Sequence, residues 1–423
     1  MPKLSANALE VETRPEHELI LCCARNYIEA ERVDQIKALL GKDIDWVYLL
    51  ETATRHKIMP LLYWSLNSTY PEGVPKDILA TLRNYFYANA QRNLFQTREL
   101  LNLLNLLGSN EIRVIPYKGV MLTTSVYGNL GLRHIGDLDI LVHKQDFDRT
   151  KDLLISKGYQ PQLQLHWEHH FVNADGTIGV DLHMAIAPSY LSFPLDFESL
   201  WSRLKPVSFA GSTVYTIDPE DVLLILCVQW GKDCCEGRER LAQLCDVAQL
   251  LHVHPSIDWV RLFEQARTLG CERMLLLELF LAHDLLGAAL PSTVLNFLQT
   301  DPVVKSLAER ARSRLWLDTD TKPVNLEEKN FLSLFLFSYQ HRFHIMMRER
   351  LLDRVTDYLF WLRLFLHMAF IPNDEDLKLL SLPKILFFLY YPLHLIRLTT
   401  KHRMVLFRQF QKLALSNQLH SRT

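Results

Sequence analysis

The chain predicts an α+β fold: a small mixed-sheet domain over residues 109–217, embedded between an N-terminal helical region (1–108) and a large C-terminal helical region (218–412), with a frayed tail at 413–423. Three observations predict it. Apolar residues recur at helical spacing in DWVYLLETATRHKIMPLLYWSL and in ILATLRNYFYANAQRNLFQTRELLNLLNLL. Between 109 and 217 the pattern changes to short apolar runs broken by glycines and an Asp-Gly turn. From Asp218 onward it is helical again, opened by Asp218-Pro219, a capping side chain followed by a first-turn proline.

The elements follow in order. The long helix of the N-terminal region has a plausible stop at Gly108. RVIPYKG reads as a short strand, then a helical turn through Val120–Tyr127 and a glycine-bearing loop. LDILV (138–142) is the next strand, and FDRTKDLLISKG is a helix ending at Gly158. GYQPQLQL, HHFVNADG and TIGVDLHMAI are further strands, the Ala174-Asp175-Gly176 turn separating the last two. KPVSFAGSTVYTI reads as a hairpin.

Composition excludes more than it identifies. With 423 residues, 48% hydrophobic and 22% charged, the chain is of ordinary globular make-up, and a net charge of −2 names no partner. Seven cysteines, two adjacent pairs among them and no CxxC spacing, argue against a disulfide framework and against a zinc site; reduced thiols in a cytoplasmic protein are expected. The N-terminus lacks the basic flank and apolar core of a signal peptide. The most apolar window, 379–398, is interrupted by Pro383, Lys384, Pro392, His394 and Arg397, which reads against a membrane span.

The chemistry concentrates in GLRHIGDLDILV (131–142). Strand alternation puts Asp137 and Asp139 on one side and Leu138, Ile140 and Val142 on the other, toward a core. Two carboxylates so close repel unless a proton or cation lies between them. Mg²⁺ is the natural cation, with Mn²⁺ as the alternative, because it takes oxygen ligands and is completed by substrate phosphates. Asp181, in GVDLHMAI, supplies a third carboxylate, with His183 on the same face. Taken singly, such residues are most often solvated strand ends. Upstream, Lys118-Gly119 ends a strand at a helix start, where a glycine lets backbone N–H groups approach phosphate. Arg133, four residues before Asp137, is placed to meet phosphate or to steady the loop. Thr123 and Thr124 read as ordinary helix-surface residues. His166, His169 and His170 lack a fourth metal ligand and are expected on a strand lining the cleft.

YKGVMLTTSVYGNLGLRHIGDLDILV resembles the signature of the uncharacterised nucleotidyltransferase family (NTP-transferase family 5) within the DNA polymerase β-like superfamily. HKIMPLLYWSL (56–66), VDLHMAI (180–186), GKDCCEGRERLAQLCDVAQLL (231–251), IDWVRLFEQAR (257–267) and LPKILFFLYYPLHLIRL (382–398) resemble its flanks, so the likeness extends over about residues 16–403. It implies a polymerase β-like nucleotidyltransferase fold with helical decorations. It implies that Asp137 and Asp139 bind a metal–triphosphate, and that Asp181 completes the metal site and helps deprotonate the acceptor. Lys118-Gly119 stands where the wider superfamily has Gly-Ser, leaving the triphosphate to the backbone and Lys118. Histidines expected near Gln229 and Asp233 are replaced; Lys232 is the candidate to reach the β- or γ-phosphate. Asp246 interrupts an apolar helix face and is expected to orient Lys232 or Arg240, or to cap a polar network.

The expected activity is Mg²⁺-dependent transfer of a nucleoside monophosphate from an NTP to a hydroxyl acceptor (small molecule, peptide or RNA), with release of pyrophosphate. A catalytically silent nucleotide-binding scaffold and a tRNA-modifying toxin of the same fold are the alternatives. A phosphotransferase ranks last, since no Walker, HRD or DFG motif is present. Residues 377–423 carry eight Lys or Arg and no acid among interleaved aromatics, which suits RNA or an anionic membrane surface, or a packed terminal helix.

Overall fold

The computed structural model describes residues 14–27, 29–188, 191, 193–317, 339–371, 383–394 and 396–397. The chain divides into two compact units, Met1–Thr319 with Met346–Glu349, and Asp320–Ile345 with Arg350–Thr423. The tail at 413–423 and most of the basic segment lie outside the described residues.

The first unit begins with helices α1 (Pro15–Cys23), α2 (Ala30–Leu40), α3 (Trp46–Arg55) and α4 (Met59–Thr69). The periodic run 45–66 is therefore two helices. Pro60 sits in the first turn of α4, and Lys57 takes a left-handed φ of 58°, which no α-helix continues. Helix α5 (Lys76–Ser109) has 34 residues and passes Gly108 without stopping.

Then comes the sheet: β1 (Val114–Pro116), α6 (Gly119–Leu122), a π-helical turn (Thr123–Tyr127), β2 (Leu138–Val142), α7 (Phe147–Ser156), β3 (Gln160–Gln164), β4 (Glu168–Val172) and β5 (Gly179–His183). The strand order is β1-β2-β5-β4-β3, mixed, with only β2 and β5 parallel. Leu138, Ile140, Val142, Phe171, Val180 and Leu182 turn one face of the sheet onto Leu100, Leu103 and Leu107 of α5 and Leu154 of α7. Each such side chain, fully buried, contributes roughly 1.5–3 kcal/mol. The parallel neighbours β2 and β5 place their polar side chains on the other face, and that is where the carboxylates meet.

After α8 (Phe197–Ser202), the hairpin β6 (Lys205–Phe209) and β7 (Ser212–Thr216) forms a separate two-stranded sheet. Helices α9 (Pro219–Glu236), α10 (Leu241–Val253), α11 (Trp259–Leu269), α12 (Glu272–Leu286), α13 (Ser292–Thr300) and α14 (Pro302–Leu315) follow. Asp218 stands at the N-cap of α9 without the expected side-chain cap; its carboxylate pairs instead with Lys205 (3.6 Å) and Arg261 (3.5 Å). Small mixed sheet and flanking helices make this the α+β fold the sequence predicts. In the second unit, helix Leu351–Phe370 carries Asp357, whose carboxylate meets His344 at 2.8 Å. Among the described residues no helix is long and apolar enough to cross a membrane, and all seven cysteines are free thiols.

Candidate active site

The loop 129–136 that delivers Asp137 is anchored by two buried apolar side chains, Leu132 and Ile135, but its main chain lies in no strand or helix of its own. Helix α5 fixes it. Asn89, Asn93 and Gln96 fall on the same helical stripe as Leu82, Phe86, Leu100, Leu103 and Leu107, and all are buried. Their amide groups donate to main-chain carbonyls: Asn89 to Gly131 (3.0 Å) and Arg133 (2.9 Å), Asn93 to Leu130 (2.6 Å) and Arg133 (2.8 Å), and Gln96 to Gly136 (2.6 Å). Sequence reasoning missed these residues. The signal was present, as three amides interrupting an otherwise apolar stripe.

Asp139 on β2 lies directly opposite Asp181 on β5 in the parallel register, and Asp181 lies opposite His170 on β4. Lys118 Nζ donates to Asp139 Oδ1 at 3.3 Å, and His183 Nε2 lies at the same distance from that oxygen. Burial pushes Asp139 up, but Lys118 and His183 override it and hold the carboxyl well below the usual range. Asp137, just before β2, has no such partner: burial and then the charge of Asp181 raise it. Asp181 Oδ1 meets His170 Nδ1 at 2.6 Å. On the far side of His183, Glu168 Oε2 lies 3.4 Å from Nδ1.

Two glycines make room. Gly119 has a φ of +36°, and a β-carbon there would lie 3.3 Å from the Asp137 carbonyl. A β-carbon on Gly179 would collide with the Asp137 carboxylate. The helix opened by Lys118-Gly119 is a single α-turn running into the π-helical turn, and Lys118 itself has a φ of 54°. Thr123 is not a surface residue: it is fully buried and its hydroxyl donates to the Gly119 carbonyl at 2.8 Å.

Oxygen and nitrogen donors of two groups, Asp137–His170–Asp181 and Asp139–Asp181–His183, each lie within 4.8 Å of one another, and both could hold a metal ion. The groups share Asp181. Carboxylates with imidazoles suit a divalent cation chemically.

Of the remaining candidates, Lys232 on α9 comes to the site edge, its ammonium 5.1 Å from the centre of the Trp167 ring and close enough to Glu168 to offset part of the rise that burial imposes on that carboxyl. Arg133 is committed elsewhere. Its Nε and Nη2 donate to the two oxygens of Asp246, each at 2.8 Å, and Tyr127 Oη donates to the same carboxylate at 2.7 Å. Asp246 on α10 thus orients Arg133, and neither Lys232 nor Arg240. Gln229 donates to the Ile186 carbonyl, and Asp233 accepts from Gln243 at 2.8 Å. A cavity of about 570 Å³ opens beside α6, lined in part by Thr124, Lys205, Asp218 and His254; none of the three carboxylates lines it.

A family model described as uncharacterised nucleotidyltransferase matches residues 42–287, more than half of the chain and all of the elements just described from α3 to α12. The chain belongs to this nucleotidyltransferase family. No curated protein matches it. Among solved structures it is similar to an antigenic nucleotidyltransferase-like protein from Paracoccidioides brasiliensis, at 15% identity and a TM-score of 0.28, over 48% of this chain and 96% of that one. The family match encloses Lys118, Gly119, Arg133, Asp137, Asp139, Asp181 and Lys232, and Lys57 and Asp246 with them.

Proposed function

We propose that this nucleotidyltransferase moves a nucleoside monophosphate from an NTP to a hydroxyl of an acceptor and releases pyrophosphate. The single observation that carries the reading is the meeting of Asp137, Asp139 and Asp181 on one face of a mixed sheet, in a chain of this family. Three carboxylates this close are undercompensated by Lys118, His170 and His183, and a divalent cation carried by a polyphosphate supplies the missing charge.

Asp137, Asp139 and Asp181 would hold Mg²⁺ or Mn²⁺, with His170 and His183 at its edge. When bound, the ion supplies Lewis-acid stabilisation of the charge developing on the phosphates. The protein's own residues do the rest. Lys118, released from Asp139, is a donor for phosphate oxygens, and Lys232 reaches the cleft from α9. Asp181, backed by His170, accepts the proton of the acceptor hydroxyl. The acceptor oxygen forms its bond to the α-phosphorus as the bond to the pyrophosphate oxygen breaks. Arg133 works at one remove, holding the loop against α10 so that Asp137 stays in place.

The test is transfer from NTPs labelled at the α- or the γ-phosphate, in host-cell extract with Mg²⁺ or Mn²⁺. α-label appearing on an acceptor, and lost in Asp139→Asn, supports the reading; γ-label transfer would make the protein a kinase. The Lys118–Asp139 pair, which already neutralises one carboxylate, favours a second reading, a nucleotide-binding scaffold. That reading requires NTP binding without transfer of either label.

A further inference from the structure

Around the loop that ends at Asp137 is a group of basic side chains with few anions among them. His134 is held down to about 3 by burial and then by Arg92, Lys57, Arg133 and Arg240. Lys57 is lowered by burial and by Arg240 and Arg133, with Asp137 and Asp233 pulling the other way. These groups are therefore within electrostatic reach of one another and of the edge of the carboxylate site. Most have partners. Arg133 is held by Asp246, Arg92 donates to Asn89 (3.1 Å), and Arg240 donates to the Arg55 carbonyl. Asp233, a second carboxylate acting on Lys57, is taken up by Gln243 and Arg238. The Lys57 ammonium alone of the set has no hydrogen-bond or ion-pair partner among the described residues, although the residue is half-buried.

The backbone makes the same point independently. Lys57 stands between α3 and α4 with a φ of 58°, a conformation that glycine or asparagine adopts with less strain. The turn around it is pinned. His56 Nε2 donates to the Leu315 carbonyl (2.9 Å), the Leu241 N–H donates to His56 Nδ1 (3.2 Å), and the Ala242 N–H donates to the His56 carbonyl (3.2 Å). The first turn of α10 thus holds the Lys57 turn, and the next turn of α10 holds Arg133 through Asp246. One helix fixes both the unpartnered ammonium and the loop that ends at Asp137.

Asp137 lacks a cation and Lys57 lacks an anion, and the two are within electrostatic reach of each other. A metal-bound polyphosphate satisfies both. We propose that Lys57, in the α3–α4 turn pinned by α10, binds the polyphosphate arm of the nucleoside triphosphate. This rests on the nucleotidyltransferase reading and extends it to a residue in the N-terminal helices, outside the sheet domain.

The experiment is calorimetric titration of the full chain with tripolyphosphate, NTPs and a short RNA oligonucleotide, in Mn²⁺ and in Mg²⁺. The expected result is that Lys57→Gln weakens tripolyphosphate and NTP binding by at least about tenfold, while Lys57→Arg stays within about threefold. Lys57→Gly, which relieves the left-handed strain, keeps the test alive if the glutamine variant fails to fold; it is expected to melt no lower than wild type and to lose the same affinity. Wild-type binding of NTP left unchanged in a folded Lys57→Gly would overturn the inference and leave the nucleotidyltransferase reading standing. Wild type binding neither NTP nor tripolyphosphate would overturn both. Loss of RNA binding in Lys57→Gln with NTP binding intact would assign the lysine to a nucleic-acid acceptor and overturn the proposal.

Discussion

Two sets of carboxylates in this molecule invite comparison, the buried Asp246 on α10 and the half-buried trio on the sheet. Asp246 is 2% exposed, and both its oxygens are saturated by Arg133 and Tyr127. The sheet carboxylates are only half-buried, the three share one lysine and two histidines, and Asp137 has none of these as a direct partner. In the sequence the two sets look alike, an aspartate interrupting an apolar run. In the structure one is a closed account of charge and the other is open. The lesson is that a structural acid is both buried and saturated, whereas a binding acid keeps some exposure and an unbalanced set of partners.

The comparison can be broken first at Asp139. Asp139→Asn is expected to reduce transfer by about a thousandfold or more, since a lost cation ligand removes several kcal/mol of charge stabilisation. Label transfer under saturating NTP measures it. If activity persists, the trio is as structural as Asp246.

Next is Asp246 itself. Asp246→Ala strands the buried Arg133 guanidinium, whose proton burial alone would loosen and Asp246 instead holds tightly. The expected cost is roughly 3–5 kcal/mol in urea unfolding, larger than that of any substitution in the trio.

The smallest effect has the opposite sign. Asp137 is raised by burial and by Asp181, so the native state holds its proton more tightly than the unfolded chain does. Its contribution to stability is present at low pH and is lost as pH rises through the raised value. Asp137→Asn is therefore expected to stabilise the metal-free protein at pH 7 by about 1 kcal/mol, and to flatten that part of the stability–pH curve. It should also weaken Mn²⁺ binding, which in wild type falls as Asp137 takes up its proton on acidification. Melting curves from pH 4 to 8, with and without Mn²⁺, separate the two effects.

Much of this architecture was legible in the sequence. The alternation of LDILV and GVDLH and the Asp-Gly turn indicate the strands, and Asp139 and Asp181 fall on one face because each sits between inward apolar residues. What escaped depends on pairing at long range. No local pattern tells that Asp246 answers Arg133, 113 residues away, and not the Lys232 and Arg240 on nearby elements. The break at Lys57 is hidden because the residue has ordinary helix propensity; pinning by α10 and α14 overrides it. The burial of Thr123 follows from the fit of the turn after β1 against α10, again a tertiary matter.

The grip of α5 on loop 129–136 has a consequence for how the protein can change. Asn89, Asn93 and Gln96 hold carbonyl oxygens, which every amino acid possesses, and never the loop's side chains. The loop's path is thus written on the helix. Side chains fix the rest of it: Gly131, whose missing β-carbon admits Phe86, Arg133 on Asp246, the buried Leu132 and Ile135, and His134, whose ring meets Tyr85 and Arg92 of the same helix. A conservative-looking change on a distant helix, Asn93→Leu, would therefore displace Asp137 while every residue of the loop itself stayed the same.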